Sequence, residues 1–498
     1  MAFRSRPAAA QRFITEVCDV NCISGDDHRY RRATRITRRL LASTRHPAQP
    51  AFLLLASIPT TYRDQRAAFA SRSPFFYGWA VVVAAGSTVF VRNAAATLTI
   101  AVFVFPMSED LGWSRTLIVG AAAAAGVAAM LVSPLAGWVA QRFGARALMS
   151  SSVILLGAVI LSLRWTTSPV TFYLLFGIGR LMFAAPLQIG ASTAAAQWFV
   201  RMRGRSTATL GVTHSLGMGL FPLFAQLFMN ANDGDWRMAW FWMGISVWVI
   251  ALPVTMLVVV NRPEDVGLTP DGDGQSADNG AQSQTPTAAE MEVQWTLREA
   301  MRTPAMWALA IVGGLVFFIH TGVNIHQAAF LRDQGISASV AASALAVLAG
   351  GTAVGSIIWG SLLDRFPVKA VYAATAAWLG AMALLFLLVD SAGMAFAAAA
   401  LFGIGIGGLL VVPPVAIADY FGRDSIGAIR GVTEPFVSGG QAIGAVGAGV
   451  IFDLTDSYTA TFPVFSVAAG LAVVLLLAVR RPRKKQVAQP VAPYDSSS

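Results

Sequence analysis

Charge is what this sequence has least of. Only 12% of its 498 residues are Asp, Glu, Lys or Arg, while 55% are hydrophobic. A soluble protein carries roughly a quarter charged residues, so an ordinary soluble globule is excluded. There are two cysteines, Cys18 and Cys22, too few for a disulfide framework and a weak basis for a metal site. No P-loop marks an ATP-driven pump. No metal cluster or nucleophile–base pair with recognisable spacing marks an enzyme, and no cofactor is expected. Acidic residues are outnumbered, 26 against 36 basic ones, for a net charge of +10. Such a balance prompts a nucleic-acid reading, but cations flanking membrane spans account for it better.

Long apolar runs stand where charge is missing. They cover 77–105, 116–138, 147–165, 171–197, 206–229 and 237–260, then 305–330, 338–362, 370–390, 393–418, 426–452 and 461–480. Each is near the length a helix needs to cross ~30 Å of hydrocarbon. Helices are expected because lipid offers no partner to an unpaired backbone group. Gly and Ala inside the runs suit close helix packing in a bilayer. The expectation is an all-α membrane protein with twelve transmembrane helices, spans 1 to 12, in two six-helix halves, 77–260 and 304–481.

Three polar segments flank these halves. Residues 1–76 are Arg-rich, and their one apolar run, Ala51 to Pro59, is too short to cross. A disordered tail, an over-extended start and a transit-like peptide all remain open for it. Residues 261–303 form a linker whose middle, Asp271 to Ala289, has the composition of a flexible chain. Residues 482–498 are a short basic tail. Cations collect on the even-to-odd connections: Arg142 and Arg146, Arg201, Arg203 and Arg205, Arg262, Arg298 and Arg302, Arg365 and Lys369, Arg423 and Arg430. The opposite connections are poor in them, which puts linker and both termini in the cytoplasm of a plasma (inner) membrane protein.

The two halves look duplicated. Gly137-Trp138-Val139-Ala140-Gln141-Arg142-Phe143-Gly144-Ala145-Arg146 is echoed by Gly360-Ser361-Leu362-Leu363-Asp364-Arg365-Phe366-Pro367-Val368-Lys369, 223 positions later. Leu175–Gly179 recurs as Leu401–Gly405, and Gly211-Val212-Thr213 as Gly431-Val432-Thr433, at offsets of 226 and 220. Three matches in one order at a near-constant offset indicate a parallel six-plus-six repeat.

Twelve spans, a central linker and paired basic turns resemble the major facilitator superfamily of secondary transporters. That family's turn is Gly-x-x-x-Asp-Arg-x-Gly-x-Arg/Lys. Gly137, Arg142, Gly144 and Arg146 match it, with Gln141 in place of the acid; Gly360, Asp364, Arg365 and Lys369 match it, with Pro367 in place of the glycine. Within the family the chain is similar to the monocarboxylate transporters and oxalate/formate exchangers. Tyr77-Gly78-Trp79, Gly112–Arg115, Trp198–Arg205 and Asn261–Leu268 carry that similarity, whereas span 8 lacks the cation the branch often has there. The resemblance implies alternating access, with spans 1, 4 and 7 lining a central cavity. The basic turns gate one end or anchor loops to anionic lipid, and Gln141 implies a weaker lock in the N-terminal half.

Ionisable groups inside the membrane are functional candidates by default. Arg92 lies near the middle of span 1 and Arg180 within span 4. Together they favour an anion, because guanidinium grips carboxylate through two bonds; snorkelling or pairing with a fixed acid is the alternative. The repeat sets His214 of span 5 opposite Glu434 of span 11. Either could carry a coupling proton, against a satisfied core histidine and a salt bridge from Glu434 to Arg180 or Arg92. Pro435 is expected to kink span 11. On span 7, Asn324 and His326 are candidate substrate contacts, beside His320 and Gln327, with inter-helix bonding as the alternative.

The functional expectation is therefore a transporter, not an enzyme, moving a small organic anion, a mono- or dicarboxylate, by proton symport or anion exchange. Efflux of a drug or metabolite by proton antiport is the alternative. Its Gly-Pro-x-x-Gly-Gly pattern is absent from span 5, where Leu216–Pro222 reads Leu-Gly-Met-Gly-Leu-Phe-Pro. A non-transporting membrane sensor is a third reading, favoured by the long N-terminal tail alone. The partners expected are the anion, protons in the symport case and the lipid bilayer, with no nucleic acid.

Overall fold

A computed structural model of the chain describes residues 75–272 and 292–484. The expectations for residues 1–74, for the middle of the linker and for the last residues lie outside the described residues. Among the described residues, eleven helical stretches are long and apolar enough to cross a membrane. The remaining crossing is folded into one of them. Arg115–Ser162 is a continuous 48-residue helix by its hydrogen bonding, which if straight would measure about 72 Å, more than twice the hydrocarbon core. Gly144 interrupts it with φ 86° and ψ 161°, a conformation open to glycine and strained for other residues. Residues before the break pack on span 11 and residues after it on span 6, as at Gly137–Gly431 and Gly157–Trp248. Spans 2 and 3 are thus a hairpin turned at Gly144.

The other spans follow the apolar runs closely. Span 5 is Arg203–Asn230, span 6 Trp236–Val258, span 7 Pro304–Asp333, span 8 Ala338–Leu363, span 9 Val368–Leu385 and span 10 Ala392–Phe421. Span 11 is Ile426–Thr455, unbroken through Pro435, and span 12 is Thr461–Ala478. Local chemistry sets the starts. Ser114, Ser168, Asp235, Thr303, Ser337 and Ser391 each accept a backbone N–H of the helix they precede, satisfying a donor the first turn leaves unpaired.

Two spans are broken partway. Span 1 runs Gly78–Val91, tightens into a 3-10 turn at Arg92–Ala95, goes extended at Ala96 and resumes as Thr97–Leu111. Span 4 runs Pro169–Ala184, leaves helical geometry at Ala185 and resumes as Pro186–Trp198. Pro186 has no N–H to continue the first segment.

The halves meet along two related seams. Span 2 crosses span 11 so closely that a Cβ on Gly137 would sit 2.6 Å from the Gly427 carbonyl oxygen, and a Cβ on Gly360 of span 8 would sit 2.6 Å from that of Gly204 on span 5. Gly137 to Gly360 and Gly204 to Gly427 are the same 223-residue step, so the repeat appears as packing symmetry. Both seams lie at the end of the bundle that carries the linker.

The described ends of the linker, 261–272 and 292–303, are tied to the two halves. Asp271, only 8% exposed, accepts the backbone N–H groups of Val200, Arg201 and Met202 at 2.9, 2.8 and 3.2 Å. Gln294 does the equivalent in the other half, accepting from Arg423 and Asp424 at 2.9 and 3.0 Å. Residues singled out by the branch similarity form an aromatic cluster beside them. Tyr77 and Trp79, with Phe76 beside them, pack against Trp198 and Phe199, and Trp198 Nε1 donates to Val260, two residues past span 6.

Candidate functional site

The breaks in spans 1 and 4 face each other, and each supplies an arginine to the other. Arg92 Nη1 donates to the Phe183 carbonyl at 2.9 Å, and Arg180 Nη1 approaches the Ala95 carbonyl at 3.5 Å. Both guanidiniums also lie against the Phe183 ring, 4.6 and 4.4 Å from its centroid, a favourable contact for a cation on a π-face. Broken helices expose carbonyls that intact helices would hide, and in membranes such segments are tolerated where protein or a cavity serves them. Neither arginine has a carboxylate partner among the described residues. Arg92 is 5% exposed and its Nε has no hydrogen-bond partner there. Arg180, His214 and His320 are half-buried and keep some accessible surface.

His214 joins this cluster. Arg92 Nη2 is 3.2 Å and Asn93 Nδ2 3.5 Å from His214 Nδ1. Both approaching groups are donors, so Nδ1 must accept, which makes this a neutral imidazole with its proton on Nε2. Gly217 leaves room for the contact, since a Cβ there would fall 2.5 Å from Asn93 Nδ2. Across the molecule, span 7 presents His320 and Asn324, whose Nε2 and Nδ2 are 3.4 Å apart. His326 is differently committed: Nδ1 is 3.1 Å from the Tyr458 hydroxyl and Nε2 2.9 Å from the Ala445 carbonyl, both inside the C-terminal half. Gln327 is fully buried, with no partner for either amide atom among the described residues.

Glu434 does not pair with Arg92 or Arg180. Its Oε2 accepts from Arg430 Nη2 at 3.0 Å, one helical turn away, and both side chains are under 9% exposed. Arg430 Nη1 donates to Ser192 Oγ of span 4 at 3.1 Å. Arg430 was expected among the loop cations. It instead lies in the second turn of span 11, buried against the other half, because the span begins at Ile426. Charge counting along loops could not find this, although an Arg followed four residues later by Glu is a recognisable helix-face pair. Glu434 is thus paired with Arg430, and Arg92 with His214, in two separate contacts.

The gating turns act unequally. Asp364 accepts from the Gly204 N–H at 2.8 Å and the Arg205 N–H at 3.3 Å, and pairs with Arg205 Nε at 3.3 Å. A carboxylate there neutralises the positive N-terminus of span 5. Gln141, its counterpart, makes one neutral bond, 2.7 Å to the Asp424 carbonyl before span 11. The Arg146 backbone N–H donates to Asn261, whose side chain fills the space beside Gly144. Arg142 and Arg365 are exposed and make no ion pair among the described residues. Arg423, in the loop before span 11, reaches the other half, to the Gln197 carbonyl at 3.1 Å and Glu264 at 2.6 Å. The hydrogen bonds and ion pairs seen to cross between halves lie on the linker side, so that end is shut.

Comparisons with known proteins agree on the architecture. The Major Facilitator Superfamily profile matches residues 84–330 and again 321–493. An uncharacterized MFS-type transporter of Bacillus subtilis, YcxA, is 20% identical over 393 residues, covering 75% of this chain and 88% of its own length. The human organic anion transporter MFSD10 superposes with a TM-score of 0.59 at 16% identity, over 81% of this chain and all of that one. The proton:xylose symporter XylE gives 0.62 at 14%, over 80% and 95%. The Escherichia coli fucose:proton symporter FucP gives 0.56 at 16%, over 81% and 98%. With its profile matching both halves of the chain, the protein belongs to the Major Facilitator Superfamily of membrane transporters.

Proposed function

We propose that this transporter moves a small organic anion, a mono- or dicarboxylate, by alternating access. The observation that carries the reading is the pair of arginines at Phe183. A charge near the bilayer centre costs several kcal/mol, and two like charges against one ring, unpaired by any carboxylate among the described residues, need an anion to offset them. Arg180 keeps accessible surface and is the direct contact. Arg92 is held by the Phe183 carbonyl and His214 and supplies field and a second grip. Asn324 and His320 would read the other end of the substrate from span 7. His326, with both ring nitrogens already bonded, is better suited to holding span 7 on span 11. His214 and Glu434 are the coupling candidates, since each touches a cation whose charge the substrate would compensate. With the linker side assigned to the cytoplasm by its cations, the closed seam corresponds to an outward-facing state, with Asp364, Gln141 and the glycines at its gate. Two of the similar folds are sugar symporters and one an organic anion transporter; at their identities they bear on fold alone.

Uptake of labelled carboxylates into proteoliposomes, with and without a pH gradient, tests the reading. Loss of a charged hydrogen-bonding pair costs about 1.5–3 kcal/mol per bond. Arg180→Ala is therefore expected to weaken apparent affinity by at least tenfold, with Arg180→Lys in between. Absence of carboxylate uptake in preparations active for another solute, or normal affinity in both Arg180→Ala and Arg92→Ala, would overturn it.

A further inference from the structure

Three features of the seam were not needed to build the anion site. The first is the Ser192–Arg430–Glu434 chain. Arg430 and Glu434 ride on one helix face, so they move together with the C-terminal half, whereas Ser192 moves with the N-terminal half. The 3.1 Å bond from Arg430 to Ser192 therefore cannot survive separation of spans 4 and 11. The second is its position. Arg430 stands between Gly427 and Gly431 on span 11, the two glycines that pack against Gly137 of span 2. The third is the state of span 4 around it. Gln188 Oε1, Thr193 Oγ1 and Gln197 Oε1 are buried here without hydrogen-bond partners among the described residues. Polar atoms in this position suit a surface that becomes hydrated when the seam opens.

We infer that Arg430 is the latch of this seam, with Ser192 its catch and Glu434 the residue that positions it. Closed, the charge-assisted Arg430–Ser192 bond joins spans 4 and 11 deeper in the seam than the Arg423–Gln197 contact at its mouth. Open, Arg430 withdraws with Glu434, and Gln188, Ser192, Thr193 and Gln197 form a polar strip along the path to the linker side. A buried arginine needs a fixed carboxylate to stay aimed, which gives Glu434 a job besides coupling: any change in its charge is felt at Ser192 through Arg430. The latch depends on the alternating-access part of the proposed function and not on substrate chemistry, so failure of carboxylate uptake would leave it standing.

The test reads the seam directly. In full-length protein with Cys18 and Cys22 replaced by serine, Thr193→Cys adds a near-isosteric thiol at a position 5% exposed in the closed seam. Its rate of modification by a membrane-impermeant maleimide, supplied from the linker side without substrate, measures opening. Gly137→Val, which props spans 2 and 11 apart, sets the open rate. Ser192→Ala is expected to raise the rate about tenfold, the population shift for one lost charge-assisted bond, with thermal stability nearly unchanged. Glu434→Gln and Arg430→Gln should raise it further, and Arg430→Lys should restore part of the protection. A rate in Ser192→Ala equal to the parent would overturn the latch, as would protection by Arg430→Gln equal to that of Arg430 itself.

Discussion

Asp364 illustrates how one residue's surroundings decide its behaviour. Burial in the seam pushes its carboxyl above the ordinary value of 3.8, outweighing the N–H groups of Gly204 and Arg205 and the Arg205 charge, which pull the other way. The closed seam therefore holds the proton more tightly than an open, hydrated one. By linkage, a raised pKa favours the closed state below it, and that advantage is lost as pH rises through it. Acidification just above the usual carboxylate range is thus expected to slow opening of the linker side. The maleimide rate at Thr193→Cys, normalised to Asp364→Asn, should fall as pH falls; a flat ratio would contradict the sign. Gly144 makes a second residue-scale case. A side chain there would be strained at φ 86° and would displace Asn261. Gly144→Ala is expected to destabilise the protein by at least about 1 kcal/mol, read as a lower unfolding temperature in detergent. Gly144 was legible as part of a motif, but its partner Asn261, 117 positions away, was not.

Among elements, what matters is where helices stop being helices. Pro186 is a visible interruption of span 4, whereas span 1 breaks at Arg92–Ala95 with neither proline nor glycine at the break. Arg92 and Asn93 break it by tertiary bonds, to Phe183 and around His214, that compete with the helix's own. No periodicity reports such a contest, so the sequence showed two intramembrane arginines without showing that they meet. The seams follow the opposite pattern. Gly137 and Gly360 were identified as a repeated motif, and their packing on Gly427 and Gly204 is what repetition of a close crossing requires. Gly360→Val is expected to hold spans 5 and 8 apart, speeding linker-side labelling at Thr193→Cys and lowering transport at unchanged expression. Unchanged labelling would mean that this crossing does not limit closure.

For the whole molecule, the linker is part of the symmetry it interrupts. Asp271 serves backbone donors at 200–202 and Gln294 those at 423–424, positions one repeat apart. The charge asymmetry of the loops predicts that reporter domains fused at either terminus report from the cytoplasm; an external signal from either would reverse the orientation. Composition and run length alone determined the membrane class, the number of crossings and the two-half plan, because lipid admits few solutions for a long apolar chain. Internal repetition determined which residues would occupy equivalent places. Only tertiary structure decided that Arg430 is buried rather than in a loop, that Glu434 belongs to it, and that Arg92 and Arg180 share Phe183. Those outcomes depend on distances across a dozen packed helices, where a shift of one helical turn changes every partner.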